Sequence, residues 1–265
     1  MKYGVAYRTK HVPLGSRSHE RSEGRPRSGG FPYLTWQADP APRRLHFVTK
    51  RVFDVVASLL LIVMASPIIV AAALAVALTS KGPVLFRQER VGTRQVWRDG
   101  KLIWETRPFE MLKLRSMYVD CDDHVHRTFT DAFVNGDLEA TAADASGYAF
   151  KLARDPRVTP VGALLRRWSI DETPQFFNVL VGNMSLVGPR PALSYEVDHY
   201  AARHIARFGA TPGITGLWQT EGRSLVPFEE MVRLDIDYVR RQSFLLDVEV
   251  LARTIPVLMS GRGGA

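Results

Sequence analysis

Two adjacent carboxylates, Asp171 and Glu172, stand in the stretch RWSIDETPQ, directly after the pair Arg166-Arg167 and just before Pro174. Thr173 followed by Pro174 is a helix-start pattern, with Thr as cap and Pro at the first helical position. Ser169 with Glu172 three residues later is a rival capping box. Either register puts Asp171 and Glu172 at a helix N-terminus. Free backbone amides and the helix dipole favour anions there, so a phosphate is a natural guest and Asp171 is expected to stay ionised. An ionised carboxylate can be a nucleophile or a metal ligand, and two neighbours can divide these roles. Spacing alone equally allows both to be capping acids on a soluble helix. Downstream, Gly188-Pro189-Arg190-Pro191 forms a rigid turn that fixes the direction of Arg190. Guanidinium groups held in this way grip phosphate oxygens with parallel hydrogen bonds.

The elements that must position these groups begin with an apolar run. Val55 to Leu78, VVASLLLIVMASPIIVAAALAVAL, has 24 residues without a charge. As a helix it extends roughly 36 Å, enough to cross the hydrocarbon core of a bilayer. Ser66-Pro67 lies near its centre, where proline removes a helix hydrogen bond and a bend is expected. Lys50, Arg51 and the basic residues before them mark the cytoplasmic side. A straight crossing would carry the rest of the chain away from cytoplasmic nucleotides, so a re-entrant helix, bent at Ser66-Pro67 and leaving by the face it entered, is the expectation. Carboxylates, arginines and a membrane helix together point to a phosphorylated substrate at a lipid interface.

The charge is divided unevenly along the 265 residues. Residues 1–51 hold 11 Lys or Arg against 3 Asp or Glu, leaving 24 of each in the remainder of a chain whose formal charge is +8. A neutral body with a basic tail suits a membrane surface and speaks against a nucleic-acid groove. Residues 12–43, rich in Gly, Pro, Ser and Arg without a helical or alternating period, read as a mobile tail. The single cysteine, Cys121, allows no internal disulfide and offers no Cys-based metal site. Beyond the apolar run, VLFRQERVG and FEMLKLRSM read as two short strands flanking a turn-bearing stretch, Arg98-Asp99-Gly100-Lys101. Helical patterns follow around residues 118–135, 161–182, 192–208, 228–242 and 245–259, and outer parts of the last two suit a membrane surface. The fold class expected is mainly α with a small β-hairpin, divided into a basic flexible tail (1–46), a re-entrant membrane helix (47–80) and a cytoplasmic catalytic domain (81–265) with interfacial helices.

In the order KRVFD, the apolar segment with Ser66-Pro67, GPVLFRQERVG, FEMLKLRSM, DPRVTPVGALLRRWSIDETPQFFNVLVGNMSLVGPRP, PGITGLWQTEGRS and RTIPVLMSGRG, the chain resembles the bacterial sugar transferases, or monotopic phosphoglycosyl transferases. The likeness covers nearly all of residues 47–264 and is nearest to short exopolysaccharide-initiating members. It implies transfer of a hexose 1-phosphate from a UDP-sugar, UDP-glucose or UDP-galactose, to undecaprenyl phosphate at the inner face of the bacterial cytoplasmic membrane, with release of UMP. It implies Asp171 as nucleophile, forming an acyl phosphate, and Glu172 as the acid associated with Mg²⁺. Arg166 and Arg190 match residues thought to contact phosphates or nucleotide, and Lys113, Arg115 and Arg157 are weaker carry-overs. Partners implied are the UDP-sugar, undecaprenyl phosphate and membrane lipid, with a homodimer compatible and no nucleic acid. Two departures from the pattern are a longer segment from Val96 to Arg107 and an N-terminal tail where larger relatives carry several membrane helices. The rival reading is a non-catalytic membrane scaffold that binds polyprenyl phosphate or an export partner, which has no need of Asp171 beside Glu172. The identity of the sugar is not encoded in these motifs.

Overall fold

A computed structural model describes residues 35–37, 44–98, 101–119, 133, 155–222 and 226–259. The apolar run belongs to one helix, α1 (Arg44–Thr79), which continues on both sides of Pro67, and the Ser66 hydroxyl donates to the Val63 carbonyl at 2.8 Å. Its burial is confined to its two ends. Lys50, Asp54 and Ser58, spaced by four so that they share one face, are buried near the start, and Ala72 and Val76 near the end. No residue from 59 to 71 is buried.

Each end of α1 is tied to the body by an arginine that donates to backbone carbonyls at a helix end or just beyond it. Arg51 donates to the carbonyls of Val179 and Leu180, at 2.6 and 2.7 Å, at the C-terminus of α3 (Gln175–Val181). That helix ends on Gly182 at φ 84°, a left-handed residue whose amide reaches back to Asn178 and Val179. Arg115 donates to the carbonyls of Ser80 and Pro83, at 2.6 and 2.7 Å, where α1 ends.

Following α1, β2 (Leu85–Arg98) and β3 (Lys101–Leu114) pair antiparallel along their full length, from Leu85 opposite Leu114 to Arg98 opposite Lys101. The hairpin is longer than the two short strands read from the sequence: the whole of Val96 to Arg107 outside the turn is strand. Alternating polar and apolar residues let the ladder run on where hydrophobicity alone suggested a loop. A short strand, β1 (Thr35–Gln37), lies on the outer edge of β3, so at these residues the N-terminal tail takes regular structure that its composition did not announce.

The 161–182 pattern is two helices rather than one. α2 (Pro160–Arg167) has Thr159 as its cap, the Thr hydroxyl accepting from the Gly162 amide, and ends before a single 3₁₀ turn at Ile170–Glu172. The 192–208 pattern likewise breaks into a one-turn α4 (Ser194–Val197) and a 3₁₀ segment, Ala202–Gly209. β4 (Ser185–Val187), which lies between the two patterns, and β5 (Gly213–Thr215), which follows the second, form a parallel pair. The last two helical patterns are α5 (Phe228–Arg241) and α6 (Phe244–Met259). The pattern at 118–135 lies mostly outside the described residues, as does Cys121. The main core joins Phe109 and Met111 of β3, Val179, Leu186 and Val187, Leu234 and Tyr238 of α5, and Leu246 and Val250 of α6. A second core closes on the far end of α1, where Ala72 and Val76 meet Leu114 and Leu165.

Candidate active site

The two carboxylates occupy the 3₁₀ turn between α2 and α3. Neither side-chain cap read from the sequence forms: Ser169 makes no capping bond, and the Thr173 hydroxyl donates to the Ile170 carbonyl at 2.8 Å. Instead Pro174 opens α3, and the turn is closed by backbone bonds from Glu172 to Ser169 and from Thr173 to Ile170. Ser169 sits at φ 53°, the one left-handed non-glycine among the described residues. This conformation costs on the order of 1–2 kcal/mol in an ordinary residue, and it reverses the chain so that Asp171 turns inward. Asp171 is buried, while Glu172 stays partly open.

Lys113 and Arg166 act on the pair from β3 and α2, while Arg157 and Arg190 are held by carboxylates of their own. Lys113, near the end of β3, pairs with Glu172 at 2.8 Å. Arg166, in the last turn of α2, is held by its Nε at 2.8 Å from the Ser116 hydroxyl. Burial lowers its pKa, and Asp171, Asp155 and Glu172 oppose that shift, so these carboxylates share its field. Arg157 grips Asp155 through Nε and Nη2, at 2.8 and 2.7 Å, and both lie in the field of Arg166. Arg190 pairs with Glu196 at 3.0 Å. Arg115 points elsewhere, to the end of α1, where it holds the helix carbonyls.

Sequence reasoning passed over Arg90. It is buried on β2 and donates to Gln88 and, at 3.1 Å, to the Pro191 carbonyl, clamping the turn that bears Arg190. Burial, and then the neighbouring Arg190, lower its pKa to about 10, against the opposing pull of Glu196, Tyr195 and Glu172. The available signal was a second arginine inside RQERVG, two residues after Gln88 and thus on the same strand face. Ser116 and Glu196 were missed as well, since neither stands in a pattern that announces a partner.

The donor set suits Mg²⁺. Among the described residues no three His, Cys, Asp or Glu side chains gather into a metal cage. Mg²⁺ is commonly held by one or two carboxylates with substrate phosphates and water completing the shell, and Glu172 beside Asp171 provides that.

Residues 45–261 match the family described as bacterial sugar transferase. The chain belongs to the bacterial sugar transferase family. Among curated relatives of this family, a UDP-glucose:undecaprenyl-phosphate glucose-1-phosphate transferase of Caulobacter vibrioides is 38% identical over 229 residues, covering 83% of this chain and 73% of that protein. An undecaprenyl-phosphate galactose phosphotransferase of Salmonella typhimurium is 36% identical over 231 residues, 87% of this chain but only 44% of the relative. The exopolysaccharide production protein ExoY of Rhizobium meliloti is 33% identical over 237 residues, 89% of this chain and 97% of that protein. As a bacterial sugar transferase, the chain carries its paired acids in the inward turn, with Lys113 of β3 and Arg166 of α2 acting on them and Arg190 held on a separate turn by Glu196.

Proposed function

We propose that the chain transfers a sugar 1-phosphate, glucose or galactose being the sugar in the relatives' names, from a UDP-sugar to undecaprenyl phosphate, releasing UMP and beginning the synthesis of an exopolysaccharide or other glycoconjugate. The observation that carries this is the buried Asp171 beside Glu172, with Lys113 paired to Glu172 and Arg166 in the field of both acids, within the matched family frame. Asp171 attacks the phosphorus next to the sugar, a carboxylate O–P bond forms, and the P–O bond to UMP breaks. An oxygen of undecaprenyl phosphate then displaces the carboxylate, giving a lipid diphosphate sugar and restoring Asp171. Splitting the transfer in two lets one positioned carboxylate serve both halves. Arg166, Arg190 and Lys113 balance charge on the phosphates, and Arg157 keeps Asp155 beside Arg166. Mg²⁺, held by Glu172 when bound, supplies neutralisation of the diphosphate.

We place the reaction at the cytoplasmic face of the bacterial inner membrane, with α1 re-entrant. In support, both ends of α1 dock on one body, Arg51 on α3 and Val76 on Leu114, while the amide of Leu112, two residues before Leu114 on β3, donates to Asn178 of α3. The unburied middle is centred on Ser66-Pro67. Exposed Leu164 on α2, Trp168 just after it and Phe177 on α3, and Leu245, Val248, Ile255 and Met259 on α6, support interfacial helices.

The test is UMP release from the purified chain with Mg²⁺, undecaprenyl phosphate and a panel of UDP-glucose, UDP-galactose and N-acetylated analogues. With UDP-sugar labelled at the sugar-proximal phosphate and no acceptor, one label should remain on the chain per UMP released. Turnover without a labelled chain would overturn the covalent route, and binding of the lipid without UMP release would favour the scaffold reading.

A further inference from the structure

The turn bearing Arg190 rests on a buried chain of charged groups. Arg190 Nη1 donates to both oxygens of Glu196, at 3.2 and 3.0 Å. Glu196 also accepts from the Tyr200 hydroxyl at 2.7 Å and from the Leu193 amide at 3.2 Å. Behind it, Arg207 pairs with Glu196 at 3.7 Å, bonds the Tyr200 hydroxyl, and is neutralised by Asp235. Arg207 also donates to the backbone carbonyl of Arg190 at 3.2 Å. Both the side chain and the backbone of Arg190 are thereby held from one direction. Of these charged side chains Arg190 alone reaches outward, 16% exposed against 1–2% for Glu196, Arg207 and Asp235.

Such a cluster is poor value as a source of stability, since burying charges costs about as much as their pairing returns. Its organisation suits aim. Resting on the reading that Arg190 meets the substrate phosphates, we propose that Glu196 is a positioning residue that sets the direction of the Arg190 guanidinium, with Tyr200 and Arg207 fixing Glu196 in turn. Burial opposes the charge on Glu196, yet Arg190 and Arg207 bring its carboxyl down to about 2, so the anchor stays ionised at any working pH. A guanidinium already oriented loses less freedom on gripping a phosphate, which is how a residue that never touches substrate can govern affinity.

The experiment is a double-mutant cycle on the full chain in membranes, reading KM for the UDP-sugar and kcat for UMP release. Tyr200→Phe removes only the hydroxyl that donates to Glu196 and accepts from Arg207, and is the variant expected to fold normally; Glu196→Gln removes the anchoring charge. Each should raise KM on the order of tenfold with a smaller change in kcat, as expected of a mispositioned binding group. In an Arg190→Ala background neither should raise KM further. Equal losses in both backgrounds would show a merely structural cluster and overturn the proposal, as would an unchanged KM in the parent background. An unchanged KM in Arg190→Ala alone would remove Arg190 from the phosphate site and the proposal with it. Labelling of Asp171, measured in parallel, reports the covalent route independently.

Discussion

Asp171 and Glu172 are neighbours in sequence with different surroundings. Asp171 is turned inward by the left-handed Ser169, with Arg166 in its field, while Glu172 lies partly open against Lys113. The division suits a nucleophile that must be aimed and a ligand that must exchange partners. Asp171→Asn keeps the shape and removes the nucleophilic charge. Turnover should fall by on the order of a thousandfold or more, and the chain-bound label should vanish. UMP release on a sample shown by mass spectrometry to be free of deamidation checks this, and near-normal turnover would defeat the assignment. Glu172→Gln should also cripple UMP release, with part of the loss recovered as Mg²⁺ is raised; a defect indifferent to Mg²⁺ would move the metal elsewhere. The adjacency of the acids was legible in the sequence. Lys113 was legible only as a basic residue near a strand end, because its partner is 59 positions away and only the packing of β3 against the 3₁₀ turn decides it.

At the scale of elements, the join between α1 and the body rests on Lys50. Its ammonium donates to Asp247 of α6 at 2.8 Å and to the Val187 carbonyl of β4 at 3.0 Å, and the Tyr238 hydroxyl of α5 lies 2.7 Å from the same Asp247. Four elements meet there, directly before the Gly188–Pro191 turn. Lys50→Met leaves Asp247 buried without its cation, which should destabilise the chain by about 3–5 kcal/mol, as for other broken buried pairs. Adding Asp247→Asn removes the stranded charge and should recover a substantial part of the loss. Thermal melting of the single and double variants measures the coupling, and additive losses would show that the pair does not act as a unit. The sequence presented Lys50 only as a charge flanking a membrane segment. Its burial follows from its place on the stripe shared with Asp54 and Ser58, a stripe that becomes visible as a contact face once β4 and α6 are docked on it.

For the whole molecule, the proposed re-entrant placement of α1 carries its own test. Replacing Ser66 and Pro67 together with Ala restores a backbone donor and removes the hydroxyl that bonds the Val63 carbonyl, so the segment should straighten toward a spanning helix. The two ends of the chain should then label from opposite sides of the membrane, and UMP release should fall although Asp171 is untouched. Cysteines placed in the tail and after Gly261, in a background lacking Cys121, read the topology on the same membranes used for activity. A straightened helix with full activity, or unchanged topology with full activity, would each defeat the proposed link between a bend at Ser66-Pro67 and catalysis.

What the sequence determined by itself was local or periodic: the paired acids, the uncharged run with its central proline, the hairpin, the last two helices and the ordered motifs of the family. Such features are legible because spacing along a chain becomes spacing in space within a helix or strand. The tertiary structure alone decided where the 161–182 and 192–208 patterns break, since their apolar residues serve more than one core and the chain must turn to reach each. It also decided the partners of every key charge: Glu172 for Lys113, Glu196 for Arg190, the end of α1 for Arg115 and, 197 residues away, Asp247 for Lys50. A buried charge is settled only by whichever opposite group the docking of elements brings within reach, and no short window of residues contains that information.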